Sequence, residues 1–197
     1  MKTITTLLII IGIVTGFAQS SYDTTYSVEV ITTISSAINY FKNERYPGGP
    51  SSNSFGYGFF ARVMWHPGRM LAVGIMSGYM FIVEDEFTLN SLYSNQSSDE
   101  ASANLAGIPL QVAISMQSNG LEVGVGMGPY LMLSTINYGT TAKAERMELG
   151  ITFFALYRFR IGQSISVGPE FRALYLSYRG ILSVMPSITL QFDIWRY

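Results

Sequence analysis

The chain has 197 residues, of which only 13% are charged, against about 25% in an ordinary soluble domain. Glycine numbers 19, aromatic residues make up 14%, and the formal net charge is −1, so no basic patch or stripe exists to meet nucleic-acid phosphates. Cysteine is absent, which excludes a lipoprotein anchor, a disulfide framework and thiolate metal sites together.

Residues 1–18 are expected to be a secretory signal peptide. Lys2 supplies the positive start, and Leu7 to Val14 is an apolar run too short to span a bilayer as a helix. Gly16 and Ala18 are small residues at the −3 and −1 positions for cleavage before Gln19. Residues 19–197 are then expected to form a single domain. The longest uncharged stretch of this part, Ala101 to Leu121, does not qualify as a membrane helix. Gly107, Pro109, Gln111, Gln117, Ser118 and Asn119 interrupt it.

The rest alternates apolar with small or polar residues, the period of a β-strand. Strands are expected near 25–40, 54–65, 69–84, 104–116, 121–136, 147–160, 164–178 and 186–197. Short turns follow the even strands: His66-Pro67-Gly68-Arg69, Gln117-Ser118-Asn119-Gly120 and Ile161-Gly162-Gln163. Connections that are generally longer and more polar follow the odd ones, about 41–53, 85–103, 137–146 and 179–185. An even strand count leaves both termini at the end with the short turns.

Charge supports the alternation. Strand five is apolar at Leu121, Val123, Val125 and Met127, with Glu122, Gly124, Gly126 and Gly128 between them. Within the strands Glu29, Arg62, Glu122, Glu148, Arg158, Arg160, Glu170, Arg172 and Asp193 all avoid the apolar face; only Arg196, near the chain end, does not. Such segregation describes a two-faced sheet. A soluble barrel would hold its apolar face inside. Here the charged face is crowded with glycine (Gly56, Gly58, Gly74, Gly78, Gly124, Gly126, Gly128, Gly150, Gly168), which suits a cramped concave interior. No lysine falls within an expected strand, since Lys42 and Lys143 both lie in expected loops. Aromatic residues gather near strand ends on the apolar face. Trp65, Tyr157, Phe159, Trp195 and Tyr197 form one expected girdle, and Tyr40, Tyr79 and Tyr175 the other. Backbone amides at membrane depth need internal partners, so the sheet must close. The expected fold is an all-β, eight-stranded antiparallel up-and-down transmembrane β-barrel, with short periplasmic turns and longer external loops.

The inward charges are expected to plug the lumen as salt-bridged layers. A gated ion path and a narrow route for small or hydrophobic solutes are the sharper alternatives. A lipid A-modifying enzyme is a third reading. Its only histidine, His66, is expected to be a polar turn residue beside Pro67-Gly68, at the end away from the outer leaflet. The acids Glu84, Asp85, Glu86, Asp99 and Glu100 match no metal-ligand spacing and are expected to be solvated. In Val123 to Gly128 the glycines fall at every second position with no helix pattern after them, so this is not a nucleotide loop. No catalytic residue, cofactor or metal is expected.

Phe17-Ala18-Gln19, the Trp65-x-Pro67 turn and the strand Gly74-Ile75-Met76-Ser77-Gly78-Tyr79 resemble an outer-membrane β-barrel family abundant in Bacteroidetes, similar in architecture to the OmpA and OmpX barrels. The resemblance implies an integral protein of the cell outer membrane and, mostly, no known activity; the even strand count is expected to leave both termini periplasmic. Contact with outer-membrane lipids, lipopolysaccharide and the outer-membrane assembly machinery is expected, as is a monomer; no peptidoglycan-binding domain is expected after the barrel. One departure concerns the C-terminal assembly signal. Trp195 and Tyr197 share the parity of Gln191 and Asp193, whereas Ile188, Leu190, Phe192 and Ile194 take the opposite one. A closed barrel resists detergent until heated. The membrane-extracted protein is therefore expected to migrate differently on a gel before and after boiling, and an unchanged position would count against the fold.

Overall fold

The computed structural model describes residues 26–41, 55–68, 70–89, 99–138, 140–177 and 180–196. The expected signal peptide, Tyr197, nearly all of the loop at 41–53 and residues 90–98 of that at 85–103 lie outside these residues. Among the described residues eight strands close into one antiparallel ring. They are β1 (Ser27–Phe41), β2 (Phe55–His66), β3 (Leu71–Leu89), β4 (Asp99–Ser118), β5 (Leu121–Tyr138) and β6 (Thr140–Tyr157). The last resumes after Arg158 as Phe159–Arg160, followed by β7 (Ile165–Leu176) and β8 (Ile181–Arg196). Each strand pairs with its sequence neighbours, and β1 pairs with β8 from Phe41↔Ile181 to Ser27↔Arg196, which removes the sheet edge. At one turn, Asn119 and Gly120 take φ of 50° and 84°, the backbone a two-residue hairpin needs to follow the strand twist.

The exposed face is the apolar one. Along β2, Phe55, Tyr57, Phe59, Val63 and Trp65 point outward, whereas Gly56, Gly58, Phe60, Arg62, Met64 and His66 are buried. Ile34, Ile75, Val112, Met127, Phe153, Phe171 and Ile188 continue the exposed apolar band around the barrel. The inner face is packed by setting glycine against large side chains. A Cβ on Gly124 would lie 2.3 Å from the Phe154 ring, and one on Gly150 would lie 2.5 Å from the Tyr130 ring.

Two β-bulges reset the parity. One lies in β3 between Phe81 and Val83. The other inserts Ile194 into β8: Asp193 stands opposite Glu29, yet Trp195 stands opposite Val28. Ile194 and Trp195 are therefore both exposed on the outer face, the latter at 64%. This explains the C-terminal parity, because an extra residue in one strand shifts every following side chain to the other face.

The strands also run further than expected. The segment 137–146, expected as a loop, extends β5 and β6 as a hairpin paired up to Tyr138↔Thr140. Lys143 thus lies in a strand. Likewise β3 and β4 pair as far as Leu89↔Asp99, which shortens the expected loop at 85–103, and β8 begins at Ile181. Crossing a bilayer takes about 9–11 tilted residues. The 12 residues of β2 and of β7 approach that length, whereas β3 to β6 have 19, 20, 18 and 18. The last β2–β3 pair is Tyr57↔Phe81, and the last β6–β7 pair is Gly150↔Leu176. Among the described residues, one wall of four strands therefore rises past the rim of the other four.

Overpacking an interior of this kind costs about 1–3 kcal/mol per substitution. Gly124→Ala is expected to lower the stability of the refolded barrel by that amount in a urea titration. Gly162→Ala, where a Cβ would meet nothing within 4 Å, should leave the midpoint unchanged.

Candidate functional site

The lumen is stacked in layers. At the end with the short turns, Glu29 enters from β1, Glu122 from the start of β5, Gln191 from β8, and Arg158 from the break in β6. Arg158 Nη1 donates to Glu29 Oε2 at 3.1 Å, and its Nη2 donates to Glu122. Gln191 Nε2 donates to the same Glu29 oxygen at 2.6 Å and lies 3.4 Å from Asp193 Oδ1. His66 Nε2 is 3.0 Å from Glu29 Oε2. One carboxylate oxygen thus accepts from Arg158 and Gln191 and has the His66 ring beside it.

Above it lies a small apolar layer, Ile31, Met64, Ala72, Ala113 and Phe154. Mid-barrel, Glu170 holds two arginines. Arg62 Nη2 donates to its Oε2 at 2.8 Å, and Arg172 donates through Nε and Nη2 to Oε1 at 2.9 and 2.6 Å. Both guanidiniums are covered by rings: Arg62 lies 4.1 Å from the Phe154 centroid and Arg172 lies 3.9 Å from that of Phe60. A cation over a ring face gains attraction without needing water. Neutral bonds complete this level, with Thr152 Oγ1 donating to Gln111 Oε1 at 2.9 Å and sharing a 2.8 Å bond with Tyr130. Nearest the long-loop end is an apolar cluster including Met80, Ile82, Leu105, Met132, Leu176 and Met185.

Of the nine expected lumen charges, Glu29, Arg62, Glu122, Glu148, Glu170 and Arg172 are buried. The Arg158 side chain is 8% exposed, and Asp193 is half-buried. Arg160 departs from the expectation. It lies in the exposed pair Phe159–Arg160, which stays paired with β7 through Phe159↔Val167 and Arg160↔Ser166 at the end of the strand, where its side chain is exposed. His66 is not a turn residue: it closes β2 and is 4% exposed inside the barrel. The signal was present, since His66 continues the even parity of Arg62 and Met64. The apolar lumen residues and the two aromatic lids were also not anticipated. Trp65, Tyr157, Phe159 and Trp195 are exposed towards the short-turn end, and Tyr40, Tyr79 and Tyr175 are exposed on the outer face of strands near the other. Trp65 and Trp195 flank Val28 on neighbouring strands, and so share a height.

A closed barrel with an apolar outside and a filled, partly charged inside is a transmembrane β-barrel of the eight-stranded class. Two solved structures share this fold. Ail, the attachment invasion locus protein of Yersinia pestis, superposes with a TM-score of 0.51 at 7% identity, covering 89% of this chain and 100% of Ail. Neisserial surface protein A gives 0.50 at 9% identity, covering 87% and 100%. No protein-family model and no curated protein sequence matches the chain.

Removing one member of a buried ion cluster costs about 3–5 kcal/mol, whereas replacing the whole cluster with apolar residues of similar size is often neutral or stabilising. Glu170→Ala is therefore expected to shift the urea midpoint strongly downward. The triple variant Arg62→Met, Glu170→Leu, Arg172→Met should recover most of the loss.

Proposed function

We propose that this chain is an integral barrel of a Gram-negative outer membrane, of the Bacteroidetes type, with a structural or surface-interaction role. The observation that carries the reading is the pairing of a lipid-compatible exterior with a lumen filled from end to end. The exterior is exposed Ile, Val, Leu, Met and aromatic side chains around a closed ring. Water would not tolerate so large an apolar surface. The interior alternates ion clusters with apolar layers, and eight strands leave room for little else.

In this reading the termini and the short turns face the periplasm, and the tall wall of β3 to β6 stands outside the cell. The loops around 41–53 and 85–103 form the contact region with it. Lipid and lipopolysaccharide surround the belt, and the assembly machinery reads the C-terminal strand, whose Trp195 the bulge turns outward. Closure through β1 and β8 leaves the barrel self-sufficient within its own membrane, as a monomer. Arg62, Glu170 and Arg172 act as a plug that sets the packing of the lumen, not as catalytic groups. In planar lipid bilayers the purified barrel is expected to add no steady current steps. Reproducible single-channel openings would replace this reading with that of a narrow channel.

A further inference from the structure

Among the described residues, the tall wall has a side with no strand neighbour. Past Leu149, whose carbonyl accepts from the Ser177 N–H at 3.2 Å, no strand among the described residues pairs with β6 on the side away from β5, because β7 ends at Leu176. Residues Thr141–Met147 are all exposed. They present a run of backbone edge already held straight by β5, and such an edge is a template for another strand. Its occupant can be argued from charge. In antiparallel pairing, residues directly opposite share a face, so a strand meeting its own copy does so about one central residue. Centring on Lys143, Glu145 or Arg146 would set like charges against each other. Centring on Ala144 sets Lys143 opposite the second copy's Glu145 and Glu145 opposite its Lys143. Ala142 then faces Arg146, and two small alanines meet at the centre.

We infer that the outer edge of β6 pairs antiparallel with the same edge of a second copy, in the register centred on Ala144. The inference rests on the outer-membrane reading above and supplies its partner. The two-fold axis of such a pair is perpendicular to the sheet, and the sheet stands upright in the membrane. The second barrel is therefore inverted relative to the first. Copies exported to one membrane all point the same way, so the partner belongs to an opposing membrane. The contact is a head-to-head bridge between two cells or vesicles, with each hairpin tip reaching the gap above the other copy's β7.

The chain has no cysteine, so Ala144→Cys offers a single thiol facing its own copy across the axis. Purified in detergent and oxidised, this variant is expected to form a disulfide-linked dimer. Adding Lys143→Glu should lower the yield about tenfold, since two attractive cross-strand pairs become repulsive. Adding Lys143→Glu and Glu145→Lys together should restore it. Vesicles bearing the unmodified barrel should cluster, and those bearing Lys143→Glu should not. A sample that keeps its heat-dependent gel migration yet never cross-links, or cross-links regardless of charge, overturns the pairing alone. Loss of the heat shift in the unmodified protein overturns the barrel. Failure of a membrane-impermeant maleimide to label Ala144→Cys in intact cells that are reduced and dispersed, and that carry Lys143→Glu to prevent pairing, overturns the outward placement of the wall, and with it the bridge.

Discussion

Every backbone amide at membrane depth must find its partner inside the molecule, because hydrocarbon offers none. In this chain that demand is met by the pairing of β1 with β8, thirteen residue pairs long, which joins the first described strand to the last. Without it the sheet would expose two edges to lipid. Closing with eight strands sets the circumference, and a ring of that size has an interior only side chains wide. The packing of the lumen, the need for glycine beside its rings, and the pairing of its charges all descend from this constraint.

A narrow interior raises the stakes for each polar group placed in it. Glu170 lies among Arg62, Arg172 and two aromatic rings, and Glu29 among Arg158, Gln191 and His66. Buried ion clusters contribute little net stability but penalise any arrangement that separates them. A barrel whose strands could slip by two residues without moving an apolar side chain to the wrong face has reason to carry such markers. The methionines between and above them fit where shapes are irregular, as a flexible unbranched side chain does.

Strand interiors were legible because two unlike environments meet along each strand, and the period of two records both. The legibility failed where that condition failed. Past the rim, Thr141–Met147 of β6 are exposed on both faces, so 137–146 carries no apolar period and looks like a loop although its described residues are paired strand. The bulges at Ile82 and Ile194 each add a residue, and a fixed parity cannot register an insertion that only the partner strand reveals. His66 was lost to its neighbours Pro67 and Gly68, whose turn chemistry masked the continuing parity of β2. The inner face also proved less polar than its charges implied. Phe60, Met64, Phe154 and Leu174 face inward, since a filled lumen behaves as protein interior and accepts apolar side chains as readily as paired ions.

By itself the sequence determined the number of strands, their alternation and the face that meets lipid, because these depend on residues adjacent along the chain. Only the tertiary structure decided which charges meet. Arg158 reaches Glu29 across a sequence separation of 129, and Gln191 reaches it across 162. Such contacts exist because closure sets the stagger of eight strands at once, and no local pattern contains that stagger. The same holds for the height of the wall above the rim. It follows from where each partner strand stops, which is a property of pairs and not of any one strand.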